Sequence, residues 1–356
     1  MLEPGMNAMI DPAKEKAGAD SQTIFELLDV EKVYEVTKSE GFLKRSKRKL
    51  AALDGVRLRI DQGASMALVG ESGSGKSTLL RVLLGLTEPT QGLALYRGRS
   101  VNQMREAGPD FARDVAMVYQ DALGSLNPRM TVGQLIAEPL RHFGICPESD
   151  IAEQTRSLLA RVGLAADVAG RYPAAMSGGQ IRRVAIARAL ASNPTVLVAD
   201  EAVSGLDVST QAQLLNLLRK LQKEMGLTLI FITHDLGVAS YLCAEIAIMY
   251  LGCIVETGPT QAVLNNPAHP YSKALRHSAP EFFEPISDPL PGEIPSPLDL
   301  PPGCRFSGRC AVAQSDCLAN DPVLTRRGHD RAVACYHPYA MSNISPEGTK
   351  EPHVTF

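Results

Sequence analysis

Residues 65–86 read SMALVGESGSGKSTLLRVLLGL, and three kinds of local order follow one another within them. The first five residues are a short apolar-rich run, the signature of a buried strand. Gly70-Glu71-Ser72-Gly73-Ser74-Gly75-Lys76-Ser77-Thr78 interrupts it, and from Leu79 onward the spacing is helical. Strand, glycine-rich loop and helix in that order form the phosphate-loop pattern in the context it requires. The glycines let backbone N–H groups converge on phosphate oxygens, the helix N-terminus adds partial positive charge, and Lys76 reaches the outer phosphates. The predicted nucleotide contacts are Gly70, Ser72, Gly73, Gly75, Lys76, Ser77 and Thr78, with the Ser77 hydroxyl also on Mg2+.

Working outward, residues 115–119, 195–199 and 227–232 are further short apolar runs, each followed by a polar or glycine-containing turn. Alternated with longer helical segments across residues 25–262, they predict an α/β domain on a largely parallel sheet. The run TVLVADE (195–201) ends on two adjacent carboxylates. Successive strand side chains point opposite ways, so the two take different tasks. Asp200 suits the Mg2+ shell and Glu201 can face the γ-phosphate and polarise the attacking water. Alone, such a pair is often a solvated strand end; with a phosphate loop upstream it reads as the acidic half of a nucleotide site. The other two strands deliver Gln120 and His234, and a parallel sheet gathers all these residues at the carboxyl ends of its strands.

The chain has 356 residues, 45% hydrophobic and 21% charged, with 36 Lys and Arg against 39 Asp and Glu. That is ordinary globular composition, about two domains long, and a net charge of −3 gives no global drive toward nucleic acid. The longest apolar stretch, 246–255, is too short for a membrane helix. Residues 1–24 mix proline, glycine and charge without periodicity, and are expected to be a flexible lead-in without an export signal. Eight of the 24 prolines fall in 280–302, which excludes regular helix and predicts a connector or wrapping arm. The basic run Lys44, Arg45, Lys47, Arg48 and Lys49 reads as a solvated loop, with attraction to anionic lipid headgroups as its functional alternative. Four of seven cysteines lie in the last 53 residues, spaced Cys304-x5-Cys310-x6-Cys317-x17-Cys335, with His337 two residues on. Such a set can hold a tetrahedral metal or an iron–sulfur cluster, or remain free thiols. The absence of a C-x2-C pair weakens the zinc reading. Cys146, Cys243 and Cys253 are expected to be packing residues.

At Ala175-Met176-Ser177-Gly178-Gly179-Gln180 the chain resembles the signature motif of ATP-binding cassette (ABC) proteins, with Ser177 as N-cap of the following helix. The resemblance extends over residues 25–262. It implies Tyr34 as the aromatic stacked on adenine, Gln120 as the Q-loop residue that reaches Mg2+, Asp207 in a D-loop (204–207, SGLD), and His234 as the switch histidine. It implies the ABC cassette fold: a RecA-like P-loop core, an antiparallel β subdomain and an α-helical signature subdomain. In that family Ser177, Gly178, Gly179 and Gln180 would point at ATP held by a partner subunit's phosphate loop.

KRSKRKLAALDG (44–55), QDALGSLNPR (120–129), LDVS (206–209), NPAHPYSKAL (266–275) and PGEIPSP (291–297) further resemble the ATPase subunits of dipeptide/oligopeptide/nickel importers, of the second type in a pair. This implies a heterodimer with a second ATPase, two integral membrane permease subunits, a periplasmic or extracellular substrate-binding protein, and peripheral attachment at the cytoplasmic face of the inner membrane. It divides the chain into a cassette at 25–265, an importer-type C-terminal region with proline-rich arm and four-cysteine module at 266–340, and a flexible tail at 341–356. It also implies a [4Fe–4S] cluster on Cys304, Cys310, Cys317 and Cys335. The cassette does not touch cargo, so nickel, glutathione or a sugar-derived ligand stay open beside peptides; a soluble ABC ATPase acting outside transport would need features this single neutral cassette lacks. Ala202 stands where the family usually has proline after the catalytic glutamate, which predicts a less restrained turn.

Overall fold

A computed structural model describes residues 22–40, 44–278, 292–328 and 330–340. Most of the expected lead-in, the first half of the proline-rich arm and the expected tail lie outside the described residues. Folded structure begins two residues earlier than the sequence suggests, with strand β1 (Thr23–Glu40).

β1 pairs antiparallel with β2 (Lys44–Asp61) and with β4 (Gln91–Tyr96), which carries β5 (Arg99–Ser100). The basic run therefore lies in strand β2 rather than in a loop. The larger sheet holds a parallel block: β3 (Ser65–Val69) lies between β8 (Thr228–Thr233) and β9 (Glu245–Tyr250), and β7 (Val196–Asp200) lies between β8 and β6 (Val115–Val118). β10 (Cys253–Pro259) then returns antiparallel to β9. The longest apolar stretch of the sequence is thus a two-strand hairpin turning at Leu251-Gly252. Among the described residues no helix is long and apolar enough to cross a membrane.

Alternation along the buried strands builds two cores, one on each face. Met66, Leu68, Val196, Val198, Ile230 and Ile232 pack with the antiparallel sheet and helix α1 (Lys76–Leu83). Beside them lie α2 (Val101–Ala107) and α3 (Asp110–Asp114). Ala67, Val69, Leu197, Ala199, Leu229 and Phe231 face the opposite core. That core includes α4 (Val132–His142), α5 (Ile151–Arg161) and the signature helix α6 (Gly178–Leu190), then α7 (Val208–Met225) and α8 (Leu236–Leu242). The strands' carboxyl ends are thereby fixed from both sides, which is what a site at those ends requires.

After α9 (Thr260–Asn265) and α10 (Pro270–His277), residues 292–302 run without helix or strand, as the prolines predict. The cysteine region, with α11 (Ser315–Ala319), is not a separate appendage. Its strand β12 (Ala332–Val333) pairs with β10, and β11 (Thr325–Arg326) pairs with β12, so it extends the main sheet. Phe306 is buried in the main core. A second C-terminal anchor is Glu256 of β10, fully buried, which accepts the amides of Ala268 and His269 and pairs with Arg331.

Candidate functional site

The phosphate loop follows β3 directly and rims a cleft of about 550 Å3, lined by Ser72 to Thr78 on one side and Gln120, Asp200, Glu201 and His234 on the other. Gly75, the residue before α1, sits at φ 103°, and a Cβ there would meet the Ala52 carbonyl at 2.7 Å. Glycine is required by both counts. No side chain caps α1, which leaves its first N–H groups for an anion. Gly70 lies beneath the loop, where a Cβ would meet the Met249 carbonyl at 2.3 Å; its place is set by close backbone approach. The Lys76 ammonium donates to the carbonyls of Gly70 at 2.6 Å and Glu71 at 2.9 Å and to the Ser74 hydroxyl at 3.3 Å. Burial pushes its pKa down, against the opposing pull of Glu201, Asp200 and Glu71.

Across the cleft, burial chiefly, with the neighbouring Glu201 charge, raises the pKa of Asp200. Glu201 stands at φ 43°, and both its carboxylate oxygens are engaged: Gln120 Nε2 donates to one at 2.7 Å and His234 Nδ1 lies 3.0 Å from the other. The Glu201 carboxylate is therefore held by its neighbours at both oxygens. The Gln120 amide nitrogen is spent on Glu201, so its side-chain oxygen is the atom a cation would use. The turn after Glu201 is held despite lacking proline: the Arg182 guanidinium donates to the carbonyls of Ala202 and Ser204. Whatever restraint proline would add there, an arginine of the signature helix ties this turn down.

Ser177 caps α6, and the cap is reciprocal: Gln180 N–H donates to Ser177 Oγ while Ser177 N–H donates to Gln180 Oε1. A Cβ on Gly179 would meet Thr210 at 2.6 Å. Asp207 caps α7 by accepting from Thr210 N–H at 2.9 Å, and those backbone bonds hold its carboxyl below the usual range. None of Ser177, Gly178, Gly179, Gln180 and Asp207 lines the cleft that holds Lys76 and Glu201. Tyr34 pairs across the ladder with Leu50, which lines that cleft; its own ring lies under the Lys32 ammonium and does not line it.

The family profile described as ABC transporter matches residues 53–204, and that of the oligopeptide/dipeptide transporter C-terminal region matches residues 255–317. A probable peptide ABC transporter ATP-binding protein of Sinorhizobium fredii is 44% identical over 86% of this chain and 88% of its own. The oligopeptide transport ATP-binding protein OppF of Salmonella typhimurium is 40% identical over 93% of this chain and 98% of its own. The chain belongs to the ATP-binding subunits of ABC peptide transporters. A dimeric ATP-binding cassette, MJ0796, solved in a post-hydrolysis state with ADP and Pi, superposes with a TM-score of 0.57 at 29% identity, covering 67% of this chain and 99% of that one. As an ABC cassette the protein is an ATPase, and its family's work is peptide transport.

In this peptide-transporter ATPase the four C-terminal cysteines line one small pocket together with His269, Phe306 and His337. None is in a disulfide. Burial pushes the Cys304 thiol up to about 11 and also raises Cys310 and Cys335. His337 Nε2 is paired with the Asp316 carboxylate at 2.8 Å. Cys243 is buried after α8, and Cys253 opens β10 with its thiol on the Asp54 carbonyl.

The sequence did not disclose the arginines. Arg309 bonds the Glu71 carboxylate of the phosphate loop, Arg305 bonds Leu251 and Asp54, and Arg182 bonds the turn after Glu201. Tyr271, also unflagged, places its hydroxyl on the Glu71 N–H at 3.1 Å. Their partners lie 20 to 251 residues away along the chain, and no local spacing announces them.

Proposed function

We propose that this chain is one of two unlike cassettes that close on two ATP molecules beneath two membrane-embedded permease subunits, on the cytoplasmic face of the inner membrane. A substrate-binding protein outside the membrane would deliver di- or oligopeptides. The observation that carries the reading is the split of the machinery: Lys76 and Glu201 line one cleft and Ser177 to Gln180 do not line it. Such a chain supplies its signature helix to a partner's nucleotide and needs a partner's signature helix for its own.

Lys76 and the loop amides bind the outer phosphates. Ser77, Asp200 and the Gln120 side-chain oxygen would hold Mg2+, whose charge neutralises the phosphate oxygens as the γ-phosphoryl transfers. Their oxygen-only donor set and the half-buried Asp200 suit that hard cation. Glu201, aimed by Gln120 and His234, accepts the proton of the water whose oxygen bonds to γ-phosphorus as the bond to ADP breaks. Tyr34, at the ladder beside Leu50, would meet the adenine. In the test, Glu201→Gln keeps ATP binding and loses turnover; near-normal hydrolysis by that variant overturns the role given to Glu201.

Segment 121–129 contributes Ser125 and Leu126 to a groove of about 320 Å3 lined also by Leu86, Phe111, Tyr119, Pro139 and Phe143, and Leu86, Tyr119 and Leu123 are each nearly half exposed. We read it as the seat of the permease subunits, and co-purification with two integral membrane proteins checks it.

The cysteine pocket is read as a [4Fe–4S] site on Cys304, Cys310, Cys317 and Cys335. Thiolates around one zinc ion sit about 3.8 Å apart. Among the described residues, the only three metal-binding donors within 4.8 Å of one another are Asp316, Cys317 and His337. No three of the four sulfurs lie within that reach of one another, while all four cysteines line one pocket, which supports the cluster reading. When bound, the cluster supplies cross-links that add folding free energy. Iron and acid-labile sulfide in anaerobically purified protein support it; stoichiometric zinc without a chromophore overturns it.

A further inference from the structure

Two arginines, each adjacent in sequence to a cysteine of the pocket, reach out of the C-terminal region, Arg309 to the phosphate loop and Arg305 to the turn bonded to it. Arg309, next to Cys310, has a side chain only 6% exposed and grips Glu71 with both ends of its fork, Nη1 to Oε2 at 2.8 Å and Nη2 to Oε1 at 3.2 Å. Glu71 is the second residue of the loop, and its carbonyl accepts from Lys76 Nζ. Its N–H donates to the Tyr271 hydroxyl, and the Tyr271 ring meets Phe306 edge-on at 5.4 Å between centroids; Phe306 lines the cysteine pocket. Arg305, next to Cys304, donates to the Leu251 carbonyl and to Asp54. The Leu251-Gly252 turn has φ of 42° and 88°, a left-handed pair that a non-glycine residue adopts only when held. Gly252 N–H in turn donates to the Ser74 carbonyl of the loop at 2.9 Å. Three separate connections therefore run from the cysteine pocket to the loop, at the Glu71 carboxylate, at the Glu71 N–H, and at the Ser74 carbonyl.

We propose that the cysteine region is a positioning element of the nucleotide site: Arg309 and Arg305 set the phosphate loop, and the state of the four cysteines sets the arginines. Residues 304–310 are short and contain no long regular element, so moving Cys304 or Cys310 moves the adjacent guanidinium. A bidentate arginine–carboxylate pair tolerates little misalignment. The cysteine half of this proposal rests on the cluster read above; the arginine half stands without it.

The test is titration of the non-hydrolysable analogue AMP-PNP into the full-length chain, with iron content and melting temperature measured on the same samples. Arg309→Met and Glu71→Gln each weaken AMP-PNP by about tenfold, and the double variant is no worse than the weaker single. In the assembled transporter the KM for ATP rises while kcat stays within about twofold, a split that general loss of folded protein does not produce. Glu71→Gln, at the rim of the cleft, keeps the test sharp if Arg309→Met melts early. Unchanged affinity in both variants overturns the proposal. Cys317→Ser loses iron and weakens AMP-PNP in the wild-type background but not on top of Arg309→Met; loss of iron with unchanged affinity overturns the coupling. Absence of iron from wild-type protein removes the cluster reading alone, and tenfold weakening by Arg309→Met then still supports the positioning role.

Discussion

The Arg182 guanidinium donates to the Ala202 carbonyl at 2.6 Å, so the signature helix and the turn that carries Glu201 are one hydrogen-bonded unit. The same side chain reaches Ser204, and Ala202 is 1% exposed. Glu201 keeps a positive φ because its turn is held from outside.

Arg182→Met is expected to lower kcat for ATP by about tenfold with little change in KM, since the turn aims the base without touching the phosphates. Steady-state ATPase kinetics of the assembled transporter check it. An effect confined to KM would place Arg182 elsewhere in the cycle.

Gly75→Ala is expected to abolish tight nucleotide binding, more than tenfold in Kd, because the new methyl meets the Ala52 carbonyl at 2.7 Å and φ 103° is strained for alanine. Equilibrium titration with ATP gives the answer.

His269 is wholly buried and caps α10, its Nδ1 accepting from Tyr271 N–H, and burial lowers its pKa to about 3. The unfolded chain takes up this proton near the ordinary histidine value and the folded chain does not. Stability from this residue is therefore present at neutral pH and lost as pH falls between the two values. The loss reaches about 2 kcal/mol at pH 5. His269→Asn keeps an N-cap acceptor and should flatten the difference in urea midpoint between pH 7 and pH 5; an unchanged difference refutes the assignment.

The phosphate loop, the four strand-end residues and the signature cap were legible because each depends on local order: an apolar run, a glycine spacing, a capping pattern. The β9–β10 hairpin was not, because its Leu251-Gly252 turn sits inside an apolar stretch whose strands are buried on both faces and show no alternation. The C-terminal region looked separate because proline composition marks a connector and a two-residue strand such as β12 leaves no periodic trace. The arginine contacts belong to tertiary structure alone. Their only written hint is an arginine beside a cysteine, twice within seven residues.

Glu256 and Arg331 form the most deeply buried ion pair joining the cassette to its C-terminal region, with side chains 0% and 8% exposed. Arg331→Met alone should cost about 3–5 kcal/mol by leaving a buried carboxylate uncompensated. Adding Glu256→Leu to it removes the uncompensated charge but also the acceptor of the Ala268 and His269 amides, so it should recover only part of the loss. Urea unfolding of both variants measures it, and additive losses would contradict the pairing.

β12 has one more consequence. It occupies the outer rim of β10, a seven-residue strand whose free N–H and C=O groups would otherwise offer a template to another chain. What replaces that rim is β11, two residues long and bearing Arg326, a blunt, charged end. A chain cut before Cys304 would thus lose more than its cysteines: it would uncover the edge of β10 at Glu256 and Thr257 and strip Glu256 of Arg331, and would be expected to aggregate rather than behave as a minimal cassette.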